Sequence, residues 1–290
     1  MNKIKSILGA LTIGLAGLAA PAMAQTHATP TIEKAPWTFA GLFGTYDKDQ
    51  LQRGFQVFKD VCASCHGSHL LAFRNLSEPG GPEYTEDQVK ALAASYEIAD
   101  ASAEGGKRPG IPADRWPSPF ANEQEARDAN GGSLPPDFSV IAKARGVSTP
   151  FPGWIWNYIA GYSEGGPDYI HALLNGYEDH VPEGVLGSDG KPLELPEGKY
   201  FNHFFPGNAI GMPPPLSDGA VTYDTPEEGV PPVPETVEQY SRDVSAFLMW
   251  VAEPHLVARK EAGMQVLVFL IVFAGLMYMV KRRLWSKVEH

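Results

Sequence analysis

The sequence predicts a mainly α protein with long loops, ending in one membrane-spanning helix. Three observations carry that expectation. Apolar residues recur at helical spacing over 51–65 and again over 237–251. Thirty glycines and 26 prolines among 290 residues divide much of the remainder into loops. Met264 to Val280 is a run of 17 residues without a charge, 19 with Ala262 and Gly263, which is just long enough to cross a hydrocarbon core. No internal repeat and no sheet-dominated pattern is visible.

In chain order, residues 1–24 read as a cleaved signal peptide. Lys3 and Lys5 give the positive start, Ile7 to Ala20 the apolar stretch, and Ala22-Met23-Ala24 a small-x-small cleavage site. An uncleaved anchor is the alternative, but Gly9, Gly14, Gly17 and Pro21 suit it poorly. Residues 25–263 form the exported domain. Its first segment holds Trp37, Phe39, Leu42 and Phe43, all expected to pack on the rest. Asp47 caps a helix through Leu51, Phe55 and Phe58, whose apolar face extends to Cys62 and Cys65, with Gly67 as its stop.

Thr85 with Gln88 makes a capping box for a helix through Val89, Leu92 and Tyr96. Residues 99–136 are expected to be surface loop. A helix through Val140, Ile141 and Ala144 follows, then an aromatic segment over 147–166 without an assigned role, then a short helix from Tyr169 to Tyr177. Residues 222–234 read as linker. Thr236 and Gln239 cap the helix of Val237, Tyr240, Val244, Phe247, Leu248 and Val251. The span is 264–280. Lys281, Arg282, Arg283 and Lys287 make 281–290 a cytoplasmic tail and leave the large domain outside.

Val61-Cys62-Ala63-Ser64-Cys65-His66 carries the chemistry. Cys-x-x-Cys-His is the attachment pattern of c-type haem: each thiol can add to one vinyl group, and the histidine can bind iron. Redox dithiols and zinc sites share Cys-x-x-Cys, but with two cysteines in the chain no second pair completes a zinc site. Of seven methionines, Met1 and Met23 fall in the signal and Met264, Met277 and Met279 in the span. Met249 sits in a periodic helix as a core residue. Met212, in Gly211-Met212-Pro213-Pro214-Pro215, stands in a stiff loop suited to hold a thioether on iron. His171, His180 and His203 are the alternatives for that sixth position, and His69 reads as a polar loop residue.

These stretches resemble the cytochrome c1 family, the c-type haem subunits of bc1 complexes. The likeness runs through Arg53-Gly54-Phe55-Gln56-Val57-Phe58, the haem pattern, Phe73-Arg74-Asn75-Leu76, Leu134-Pro135-Pro136-Asp137, Lys143-Ala144-Arg145, Phe205-Pro206-Gly207, Gly211-Met212-Pro213-Pro214 and Asp243 to Pro254. It implies a cytochrome c-like helical haem domain with one covalent haem c on Cys62 and Cys65, and His66 and Met212 as axial ligands. It implies a pocket lined by Asn130, Pro135, Pro136, Arg145, Tyr169, Phe205 and Ile210, with Arg145 towards a propionate. It implies a subunit of a quinol–cytochrome c oxidoreductase in a bacterial cytoplasmic membrane, itself an electron carrier. Its partners would be cytochrome b, the Rieske iron–sulfur subunit, membrane lipid, and a soluble or tethered cytochrome c. Some bacterial members carry a further cysteine pair near the methionine loop, which this chain lacks.

Charge narrows the partners. Residues 25–263 hold 33 of the 34 carboxylates against 17 of the 23 lysines and arginines. Such a domain repels nucleic acid and favours a partner with a basic face. Glu97, Asp100 and Glu104 match a family acidic stretch that would steer such a partner. Two rivals remain at this stage: a free-standing anchored c-type cytochrome serving an oxidase, and a peroxidase-like haem protein with an open sixth position.

Overall fold

The computed structural model describes residues 31–147, 151–153, 155, 165–187, 189–223 and 231–286. The signal segment and most of the aromatic segment lie outside these residues. The fold is mainly helical. Helix α1 spans Lys48–Asp60, α2 Glu86–Ala94, α3 Glu123–Ala129, α4 Ile141–Ala144, α5 Gly166–Asn175, α6 Val237–Ala252 and α7 Leu256–Trp285. The strands are short. Antiparallel β1 (Glu97–Ala99) and β2 (Lys107–Pro109) pair with Ile98 opposite Arg108, and β3 (Tyr177–Glu178), β4 (Tyr200–Asn202) and β5 (Ala209–Ile210) form a second antiparallel sheet.

Helix α6 is the centre of the domain, packed by α1, α5 and α4. Its stripe of Tyr240, Val244, Phe247 and Leu248 is buried, as the spacing predicts, and Met249 is fully buried with them. Leu51, Phe55 and Phe58 of α1 face it. Phe58 lies 5.5 Å from Phe247 and 5.2 Å from Trp116, and Trp116 in turn meets Phe73 and Tyr96 at 5.4 and 5.0 Å. Edge and tilted ring pairs of this kind add to simple apolar burial.

The predicted caps form. Asp47 accepts from the Gln50 amide at 2.8 Å, and the Thr85–Gln88 box closes in both directions. At α6 only half of the second box forms. Thr236 accepts from the Gln239 amide, but the Gln239 side chain donates instead to Asp243 at 2.9 Å.

The contact of α1 with α6 depends on Gly54. A Cβ there would stand 2.1 Å from the Asp243 carbonyl oxygen and 2.7 Å from Cβ of Phe247. Alanine would gain about 1 kcal/mol in helix propensity. It would also force two helices apart at a backbone contact, at a cost of about 1–3 kcal/mol or more. Gly54→Ala is therefore expected to destabilise the domain, read as a lower denaturant midpoint in mild detergent. An unchanged midpoint would mean that the helices yield freely there.

After Glu253, which Lys143 (3.0 Å) and Arg259 both pair, the chain turns into α7. Only Leu256 of α7 is buried, and its apolar residues from Val266 to Val280 are all about half exposed. At 1.5 Å per residue, 30 residues reach about 45 Å. This helix is long and apolar enough to cross a membrane. The helix continues through Trp285 and so includes the basic residues Lys281 to Arg283.

Candidate functional site

Helix α1 ends at Asp60, earlier than the apolar spacing predicts. Val61 caps it, and Cys62–Ser64 form a 3₁₀ turn in which the amides of Cys65 and His66 both bond to the Cys62 carbonyl, at 3.1 and 2.9 Å. The tighter turn serves the motif better than an α-helix would. Residues three apart eclipse in a 3₁₀ turn, whereas they are rotated by about 60° in an α-helix. Cys62 and Cys65 thus share one side, and both are free thiols. Burial, with Cys65 adding to it, pushes the Cys62 thiol up to about 12 and keeps it protonated.

His66 is buried, and its Nδ1 lies 2.8 Å from the Pro136 carbonyl oxygen. A carbonyl can only accept, so Nδ1 carries the proton and Nε2 is left with its lone pair. That is the tautomer that suits a metal ligand. Burial lowers the His66 pKa, opposed by the Pro136 bond and by Asp137, so the imidazole is neutral. Phe138 stacks on the ring at 4.0 Å and 16°. Segments 66–70 and 136–139 are stapled further by Phe138 N to Gly67 O (2.8 Å), His69 N to Asp137 (3.0 Å) and Leu70 N to Ser139 Oγ (2.9 Å). His69 is mostly exposed and pairs with Asp137, consistent with a polar loop residue.

Met212 stands two residues after the end of β5, with Gly211 between. Asn202, fully buried in β4, accepts from the amides of Phe204 and Phe205 and donates to Leu173 O. Asn208, with φ of 57°, donates to Asn202 O and His203 O. Together they fix the turn that delivers Phe205, β5 and then Met212. The Tyr177 hydroxyl donates to Met212 O at 3.2 Å. A Cβ on Gly211 would fall 2.3 Å from Ser133 Oγ and 3.0 Å from Ser133 Cβ, so any other residue here would have to displace Ser133.

These pieces meet at a mainly apolar cavity of about 600 Å³. Cys62, Cys65, His66, Asn130, Pro135, Pro136, Arg145, Tyr169, Phe205, Ile210 and Met212 all line it. The rival histidines do not. His171 pairs with Ser241 and Glu238, His203 with Glu178, and His180 is exposed. The lining residues that the sequence reading did not assign to the site include Ser133, Phe138, Leu173 and Lys199, whose Nζ donates to Ser133 Oγ at 3.0 Å. Phe138 stood next to a quoted motif. Lys199, in a loop of glycine and proline, gave no local signal.

A helical domain whose paired thiols, neutral histidine and methionine share one apolar cavity defines a class, the c-type cytochromes. The comparisons narrow it. A model of the Cytochrome C1 family matches residues 37–288, and the chain belongs to that family. It is 47% identical over 285 residues to the "Cytochrome c1" of Blastochloris viridis, covering 97% of this chain and 95% of that one. It is 55% identical over 253 residues to the "Cytochrome b/c1" of Bradyrhizobium diazoefficiens. That match covers 86% of this chain but only 35% of that longer protein. It is 40% identical over 257 residues to the "Cytochrome b-c1 complex catalytic subunit, mitochondrial" of Candida albicans, covering 88% of this chain and 77% of that one. Family membership implies a covalently bound c-type haem. The residues present fit it: an apolar cavity within the size range of cofactor sites, two free thiols on its wall, and an imidazole with its free nitrogen selected by a carbonyl.

Proposed function

We propose that this chain is the haem-bearing electron-transfer subunit of a quinol–cytochrome c reductase. The observation that carries the reading is the sharing of one cavity by Cys62, Cys65, His66 and Met212. One haem c would be held by thioether bonds to Cys62 and Cys65, with His66 Nε2 and the Met212 thioether as the donors to its iron. The bound haem supplies a one-electron couple that needs no substrate site. The chain's own residues do the rest. Pro136 holds the His66 tautomer, Phe138 covers its face, and Tyr177 and the Pro213–Pro215 run hold the methionine loop. Asn130, Pro135, Tyr169, Phe205 and Ile210 keep water from the cavity, and Arg145 and Lys199 are the cations available to propionates.

Electrons enter from a Rieske iron–sulfur subunit and leave to a soluble or tethered cytochrome c, with cytochrome b as the neighbour in the membrane. The signal segment 1–24 exports the haem domain (25–263), α7 anchors it across 264–280, and the basic end lies on the cytoplasmic side of a bacterial membrane. The fused "Cytochrome b/c1" name of one relative supports the pairing with cytochrome b. The decisive experiment is a reduced-minus-oxidised spectrum of the tagged protein purified in mild detergent. Bands of both c-type and b-type haem, with quinol-dependent reduction, are expected. A c-type band alone would move the protein to a free-standing anchored cytochrome. High-spin iron with peroxide turnover would make it an enzyme of another kind.

The acidic stretch also gives an expected result. Glu97 lies 3.3 Å from Lys107, and Asp100 is held by Arg108 at 2.9 Å, so these carboxylates are partly compensated within the domain. Electron transfer to a basic cytochrome c should still slow as ionic strength rises, because the domain as a whole is acidic. Stopped-flow rates independent of salt would remove the steering role.

A further inference from the structure

We propose that the loop 40–44 is a second membrane contact, with Leu42 and Phe43 inserted into the interfacial layer beside the anchor. The inference rests on α7 being that anchor. The sequence groups Trp37, Phe39, Leu42 and Phe43 as one packing segment, and the structure divides them. Trp37 and Phe39 are 5% and 2% exposed, whereas Leu42 is 43% and Phe43 82% exposed. Phe43 is the most exposed large apolar side chain among the described residues.

The loop that presents them is built, not frayed. Thr45 N bonds to Thr38 O and Ala40 N to Trp37 O, both at 3.1 Å, closing the base. Gly41 takes a φ of 76°. At Gly44 a Cβ would stand 2.0 Å from the Ala40 carbonyl oxygen, so the chain doubles back more tightly than any other residue allows. The turn spends this geometry on turning two apolar side chains outward.

Its position says what covers them. Lys260, in α7, donates through Nζ to Phe39 O at 2.6 Å and to Gly44 O at 3.2 Å, pinning both feet of the loop to the anchor helix. Tyr46, just after the loop, donates to Met249 O and Glu253 O at the start of the junction. Lys260 precedes Met264, the first residue of the uncharged run, by four residues, about 6 Å of helix rise. The polar layer of a leaflet is about 5–8 Å thick, so the loop's feet lie at headgroup depth. Leucine and phenylalanine are the side chains that interfacial segments bury. The tip, Gly41-Leu42-Phe43-Gly44, carries no polar or charged side chain. Two attachments, one spanning and one interfacial, would restrain the tilt of the haem domain on its anchor.

The test uses the haem-loaded full-length chain, with the subunits that purify with it, in phosphatidylcholine vesicles. With Cys62 and Cys65 in thioether bonds, an introduced cysteine is the one free thiol of this chain for a nitroxide label. Labels are placed singly by Phe43→Cys, Leu42→Cys, Val272→Cys within the span, and Glu104→Cys on an exposed turn. Relaxation by oxygen, which partitions into lipid, is compared with relaxation by a water-soluble nickel chelate. The ratio at 43 and 42 should exceed that at 104 several-fold and fall short of that at 272. A ratio at 43 and 42 equal to that at 104, with 272 deep, overturns the second contact while the anchor stands. A label at 43 shielded from both agents overturns it in favour of a protein neighbour. An aqueous label at 272 removes the anchor itself, and this inference with it.

Discussion

Replacing Met212 by leucine is expected to lower the midpoint potential by on the order of 100 mV or more, within the ~0.8 V that axial ligands command. A thioether favours ferrous iron, and leucine has no donor atom to offer. The vacated position would be left open to water or to an exogenous ligand, and the ferric spectrum would shift towards high spin. Leucine is close to methionine in volume, so the loop held by Tyr177 and the three prolines should survive. Met249→Leu is the control. Met249 is fully buried in α6 and does not line the cavity, so that variant should cost less than about 1.5 kcal/mol in stability and leave the potential unchanged. Gly211→Ala tests the same ligand from the backbone side: its Cβ would press on Ser133 and Lys199, and the strain not relieved by their rotation falls on the neighbouring Met212. It should weaken the red absorption band of methionine-ligated ferric haem without removing the sulfur. An unchanged midpoint and spectrum in Met212→Leu would end the ligand assignment.

What the sequence made legible was local. The haem pattern, the Asp47 and Thr85 caps and the stripe of α6 each depend on residues within a few turns of one another. Most of the misses are non-local. The strands β3 to β5 have two or three residues each, too few for an alternation to appear, and Tyr177 finds Asn202 across 25 positions. The loop predicted over 99–136 contains α3, whose N-cap, Asn122 accepting from the Glu125 amide, was present in the sequence without an apolar stripe to flag it. Gln239 was read as half of a capping box, but its side chain bonds instead to Asp243, one turn on in the same helix. The apolar residues of 37–43 could be counted, but which pair faces inward depends on the tight turn at Gly44 and on Lys260, more than 200 positions away.

Asp243→Ala is expected to cost about 3–5 kcal/mol, a large part of the 5–15 kcal/mol that holds a typical domain folded. Asp243 is fully buried and accepts from four side chains on three separate pieces of the chain. Gln50 Nε2 (3.2 Å) and Arg53 Nε (2.9 Å) come from α1, Gln239 Nε2 (2.9 Å) from α6, and the Tyr223 hydroxyl (2.9 Å) from the segment that precedes α6. Burial and the carboxylate raise the Tyr223 pKa, so its proton stays in place as a donor. Arg53 also sits 5.9 Å from the centre of the Tyr223 ring. Alanine would remove the acceptor and leave a guanidinium, two amides and a phenol with their donors unmet. The loss comes from those stranded groups rather than from the pair's own net strength, since the fully buried Asp243 spends much of its Coulomb energy on desolvation while Arg53 keeps an edge in solvent. It follows that Asp243→Leu combined with Arg53→Met should recover much of what either substitution loses alone. The damage should also reach the site, because Val244 and Leu248 of the same helix line the haem cavity. Unfolding followed by both circular dichroism and haem absorbance should therefore move together in Asp243→Ala. A loss below about 1 kcal/mol, or a double variant no better than the single ones, would mean that water reaches and satisfies these donors and that apolar packing alone joins α1 to α6.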